Sequence, residues 1–156
     1  MMSRSINTVL VLLLVGFSPL GAGSARAALG GDLSSVLADG VDMHGTVNSL
    51  NLVQYDVQEI APTAGTRVRE YLNRNGIVFA VSWTGPVAPD LQRLLGTHFK
   101  EYTTALAALN HPGSHRSVRV VTPELVVESG GHLRAYFGRA YLTALIPAGV
   151  PAADLR

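Results

Sequence analysis

The 156-residue chain has no cysteine, a single tryptophan and no hydrophobic run long enough to cross a membrane. Without a thiol there is no disulfide, no thiolate nucleophile, no thiolate zinc site and no iron–sulfur cluster, so packing alone must hold the fold. The familiar catalytic signatures are missing too. There is no G-x-S-x-G elbow, no H-E-x-x-H, no phosphate-binding glycine loop and no dinucleotide fingerprint. A formal net charge of +1 with no basic cluster speaks against nucleic acid as a partner.

The longest apolar run, VLVLLLVGF from Val9 to Phe17, has nine residues where spanning a bilayer takes about 20. It reads instead as the middle of a secretory leader. Arg4 gives the positive start, Pro19 and Gly21 relax the helix, and Ala25-Arg26-Ala27 supplies a small-x-small cleavage site. We therefore expect residues 1–27 to be a signal peptide removed after Ala27. The product is expected to be periplasmic or secreted, with no transmembrane anchor and, lacking a Cys after the run, no lipid modification. The remainder, Ala28 to Arg156, suits one domain with one core.

Its charges are sorted. Asp32, Asp39, Asp42, Asp56 and Glu59 all precede Arg67, the first arginine after the leader. Five spaced carboxylates are not a block of like charge, so they are expected to dock on the chain's own arginines. Residues 28–51 read as an N-terminal arm and linker: ALGGDLSSVLADG has helix-start residues, and the turn-rich DMHGTVNSLN is the expected flexible part. Residues 52–156 read as a single α+β domain. In LVQYDVQEI the residues Val53, Tyr55 and Val57 alternate with Gln54, Asp56 and Gln58. TRVREYLN follows, then the hairpin signal Asn75-Gly76 and the buried run GIVFAVSW, giving a three-strand antiparallel meander.

Pro89 and Asp90 open a helix, since proline has no N–H to lose in a first turn and aspartate meets the positive end of the dipole. Leu91, Leu94, Leu95, Tyr102, Ala105, Leu106 and Leu109 fall on one side at 3.6-residue spacing, which predicts one long amphipathic helix packed on one face of the sheet. Asn110 to Ser114 stops it. Two or three further strands follow, with Ser129-Gly130-Gly131 expected to join the last two.

The runs VREYLNRNGIVFAVSWTGPVAPDLQRLLGTHF and LVVESGGHLRAYFGRAYL, together with the ALGG start, resemble the exported bacterial family called Domain of Unknown Function 2844. The resemblance covers nearly the whole chain after the leader. It implies an exported protein and carries over no catalytic residues.

Four groups of residues are candidates for a role. Trp83, Gly85, Pro86, Pro89 and Asp90 form a corner between strand and helix, read as architecture rather than a groove because a lone Trp usually packs. His98 lies within the apolar stripe. His111 and His115 share an H-x3-H spacing, but Pro112-Gly113 breaks any helix between them, so no metal site and no cofactor are expected. In GGHLRAYFGRAYL a strand from Gly131 would put His132, Arg134 and Tyr136 on one face and Leu133, Ala135 and Phe137 on the other. In TRVREYLN, Arg67, Arg69 and Tyr71 make a similar row. If the two strands are neighbours, the result is a basic, aromatic-flanked face suited to an acidic or glycan ligand.

The functional expectation is an exported, non-enzymatic binding or scaffolding domain of the cell envelope, with an envelope protein or an acidic or glycan ligand as partner. The alternatives are a small periplasmic hydrolase or lyase using His132 with a carboxylate, and an assembly accessory that engages a partner through its N-terminal arm.

Overall fold

The computed structural model describes residues 29–109 and 117–156. The leader with its cleavage site, and the loop with His111 and His115, lie outside the described residues. An N-terminal helix, α1 (Leu33–Asp42), leads into strands β1 (Gly45–Asn51), β2 (Asp56–Pro62), β3 (Arg67–Leu72) and β4 (Val78–Gly85). Helices α2 (Leu91–Leu95) and α3 (Phe99–Ala108) follow, then β5 (Ser117–Val121), β6 (Leu125–His132) and β7 (Ala135–Leu142). All seven strands join one antiparallel sheet in the order β1-β2-β3-β4-β7-β6-β5. The first four form a meander, the helices carry the chain across to the far edge, and a second meander returns so that β7 pairs with β4. No helix among the described residues is long and apolar enough to cross a membrane.

The α+β class expected from the sequence is the one that forms, with three corrections. The stretch expected as a flexible linker is the edge strand β1, paired with β2 from Gly45↔Pro62 to Asn51↔Asp56. Its polarity misled because an edge strand needs few apolar residues; Val47, opposite Ile60, is the one that reaches the core. Ahead of it, Asp32 caps α1 by accepting from the Ser35 N–H at 3.0 Å.

Second, the single long helix is broken. A 3-10 turn, Gly96–His98, separates α2 from α3, and Gly96 sits at φ +51°, where glycine is favoured. The apolar stripe survives the break: all seven of its residues join the core under the helices.

Third, the final hairpin turns later than expected. β6 runs on through Ser129-Gly130-Gly131, and His132 pairs with Ala135, so the two-residue turn is Leu133-Arg134. Arg134 takes the left-handed conformation there, at φ +65°.

The core has two parts. Beneath the helices, Val36, Ile60, Val68, Val81, Trp83, Leu95, Tyr102 and Val127 pack together. On the opposite face Val57, Tyr71, Phe79, Ala80, Val126 and Tyr141 are covered by the C-terminal segment, chiefly through Val150 and Leu155. Each fully buried large side chain contributes about 1.5–3 kcal/mol, so the tail is part of the fold and not an appendage.

Candidate binding groove

The strand register builds three rows across the sheet face that the helices leave free. One is apolar, Val57, Tyr71, Ala80, Tyr141 and Val126, and it lies under the tail. The next is charged: Glu59 on β2 stands opposite Arg69, then Ser82, Arg139, Glu128 and finally Arg119 on β5. The third holds Arg67, Thr84, Phe137, Gly130 and Ser117. Strand pairing alone therefore gathers four arginines from three strands on one surface.

Between the tail and the third row lies a groove of about 780 Å³, lined by Arg67, Arg69, Arg119, Arg139 and Phe137 and closed at one side by Leu155 and Arg156. Two carboxylates serve the four guanidiniums. Glu59 takes Arg69 at 2.8 Å and Arg67 at 3.4 Å. Glu128 takes Arg119 at 2.8 Å and Arg139 at 2.6 Å. Partial burial pushes the Glu128 carboxyl up, but hydrogen bonds from Arg119 and Arg139 and their charge outweigh it, and the group ends below the usual carboxylate range. Two of the arginines also pin the tail: Arg69 Nη1 donates to the Arg156 carbonyl at 2.6 Å and Arg139 Nη1 to that of Ala152 at 2.5 Å. Tyr71 joins them, its hydroxyl donating to the Arg156 carbonyl and lying 3.1 Å from Ser82 Oγ.

A family model described as "Protein of unknown function (DUF2844)" matches residues 25–155. The chain belongs to this family. No curated protein and no solved structure matches it.

In this DUF2844 protein the groove contains two of the residues expected from the sequence, Arg67 and Arg69, and not the other three. Strand β4 lies between β3 and β7, so the two rows are not neighbours. His132 ends β6 and Arg134 sits in the turn, both exposed at the hairpin tip. Tyr136 points to the helix side, where with Trp83, Pro89 and Val118 it lines a smaller cavity of about 210 Å³. The face assignment is reversed, because the apolar Phe137 does not mark the inner side: Phe137, Arg139 and Tyr141 face the groove side, and Gly138 and Ala140 the helices. Arg119, Arg139, Glu128 and Phe137 were missed. Alternation within AYFGRAYL marks Phe137 and Arg139 as one face, and only the register reveals that this face meets Arg69.

The residues of the corner are held by packing and capping contacts. Trp83 is buried against Gly138 and the helices. Gly85 leaves no space for a side chain, since a Cβ would stand 2.6 Å from Thr66 Oγ1. That hydroxyl donates to the Val87 carbonyl and accepts from the Val87 N–H at 3.3 Å, fixing the loop that contains Pro86 and Pro89. Asp90 then caps α2, accepting from the Arg93 N–H at 3.1 Å. Thr66 carried no sequence signal.

The acidic N-terminal stretch docks on the chain's own arginines at Asp42, 3.1 Å from Arg93, and at Asp56, 3.3 Å from Arg74, as well as at Glu59. For a metal, the one group with suitable atoms among the described residues is His98, Glu101 and Glu124, within 4.8 Å of one another. Two of these side chains already serve each other: His98 Nδ1 is 3.6 Å from Glu101, whose other oxygen accepts from Thr122. At the hairpin tip, His132 Nδ1 lies 3.3 Å from the Leu133 carbonyl, and no carboxylate among the described residues forms an ion pair with it.

Proposed function

We propose that the chain is an exported, non-enzymatic binding domain of the cell envelope that takes an acidic ligand, an acidic glycan above all, in the arginine groove. The observation that carries this reading is the imbalance of four guanidiniums sharing two carboxylates beside an exposed aromatic ring. Arg67 and Arg119, one on each flank, keep 51% and 62% of their side-chain surface open while each forms an ion pair with a single carboxylate. Their remaining N–H groups suit carboxylates, sulfates or phosphates, which a guanidinium takes in paired hydrogen bonds. Between them Phe137 is 57% exposed, an apolar platform on which a sugar ring can rest. Export rests on the leader with its site at Ala27. A binding role is favoured over the hydrolase because the groove offers fixed cations and no poised acid–base pair.

Titration of the mature protein with a polyuronate oligosaccharide, against a neutral oligosaccharide of equal length, tests the reading. Binding confined to the acidic sugar, falling steeply with salt and at least about fivefold weaker in Arg67→Ala and Arg119→Ala, is the expected result; the loss of one charge-assisted contact is typically worth that much. Equal binding of the neutral sugar, or no binding of either, would remove it. Intact-mass measurement of the exported product should find Ala28 at its start.

A further inference from the structure

From the edge formed by β1 and α1 we infer that the protein pairs with a second copy of itself, β1 against β1, into one continuous sheet. Strand β1 is an end strand, and the nine residues from Gly45 to Val53, GTVNSLNLV, contain no charge and no proline. Proteins that stay monomeric usually guard such edges with lysine, proline, bulges or a cover. The opposite edge strand has Arg119 at its centre and α3 alongside. At β1 the pairing with β2 is regular throughout, and Thr46, Asn48, Ser49, Leu50 and Asn51 are all exposed.

The helix above this edge is apolar where it overhangs. Leu33, Leu37 and Val41, spaced i, i+4, i+8, are 46%, 52% and 73% exposed. Asp39 on the same helix faces Glu70 of β3, and Gly40 sits on Val47 of β1. At 100° per residue, turning round the helix in that direction reaches the three apolar residues next, so their stripe lies beyond β1, over open space.

Only an extended backbone can satisfy a strand edge, and the stripe decides whose. A lone peptide would pair with β1 and leave Leu33, Leu37 and Val41 bare. A copy related by a two-fold axis at Asn48 covers both. Its β1 would lie about 4.8 Å away, and because α1 sits over β1 and β2, the two helices would be about 10 Å apart, close to the 8–10 Å of ordinary helix packing. They would run antiparallel, with opposite dipole ends side by side, and the uncharged edges would meet without repulsion.

Light scattering after size exclusion, on the mature chain from about 1 to 100 μM, should find a dimer. Asn48→Lys, which opposes two lysines across the axis, and Val41→Glu should each give monomers with unchanged circular dichroism. The cysteine-free chain allows a positive test that does not depend on either variant folding well. Facing residues in an antiparallel pair have Cα atoms about 4.5–5.5 Å apart, within disulfide range, so Asn48→Cys should form a covalent dimer on mild oxidation while Lys100→Cys on α3 should not. A wild type that stays monomeric at 100 μM, a dimer untouched by both charge variants, or equal cross-linking at both cysteines would each overturn the inference.

Discussion

The indole of Trp83 rests on Gly138 of the neighbouring strand, its Cε2 only 2.6 Å from where a Cβ on that glycine would stand. The Glu128 carbonyl closes the same space from the other side, so the tryptophan and the glycine are a matched pair. Gly138→Ala should therefore cost about 1–3 kcal/mol by overpacking, and Trp83→Ala about 3–5 kcal/mol by leaving a cavity. Chemical denaturation measures both. The native fluorescence of Trp83 should be blue-shifted and shielded from quenchers; a red-shifted, freely quenched emission would contradict the packing.

The tail makes a second prediction. Leu155 is fully buried on the face opposite the helices, among Val57, Tyr71 and Phe79. Leu155→Ala should cost about 2–5 kcal/mol, as cavity-forming changes in a core do. The same variant should weaken ligand binding, because Leu155 and Arg156 form one side of the groove. Unchanged melting would mean that the last residues do not hold the sheet in solution.

How much of this was legible in the sequence depends on where each residue's partners lie. Alternation in TRVREYLN and the hairpin signal at Asn75-Gly76 mark β3 and β4, because those cues are local. The stripe from Leu91 to Leu109 marks the helical side for the same reason, although Gly96 breaks the helix without disturbing the stripe. Strand β1 was hidden because Thr, Asn and Ser at a solvent edge read as loop. The face of β7 was reversed because apolar character was taken to mark the inner side, whereas the helix side holds Gly138, which makes room for Trp83, and the apolar Phe137 faces the groove. The groove could not be read at all beyond Arg67 and Arg69. It exists only because β7 pairs with β4, placing Arg139 across from Arg69 with one strand between them, and no local pattern announces that pairing.

The misread hairpin carries its own prediction. Arg134 holds φ +65°, a conformation that costs most side chains about 1–2 kcal/mol and glycine much less. Arg134→Gly should therefore leave stability unchanged or raise it by up to about 1 kcal/mol. Gly131, at φ +135°, is the opposite case: a Cβ there would stand 2.8 Å from the Tyr136 Cα. Gly131→Ala should destabilise, and thermal melts of the two variants should move apart. Melts that move together would show that the turn is not where the pairing of His132 with Ala135 puts it.

Glu70 gives the chain a pH dependence of unusual sign. Its side chain is wholly buried beneath α1, and burial first, then the charge of Asp39, raises its carboxyl from 4.5 to about 8. Between those two values the folded protein keeps a proton that the unfolded chain has released. The native state therefore binds more protons, and stability must fall as pH rises. The contribution is whole below the unfolded value of 4.5 and is lost by the time pH passes the folded value near 8. The slope between them is at most about 1.4 kcal/mol per pH unit. Melting temperature should decline from pH 5 to pH 8, as far as this group governs it. Glu70→Gln, which cannot ionise, should flatten the profile. Asp39→Asn should keep a slope but end it at lower pH, because one of the two causes of the raised value is gone. A wild-type profile that is flat or rising over this range, and identical in Glu70→Gln, would mean that Glu70 is ionised in the native protein.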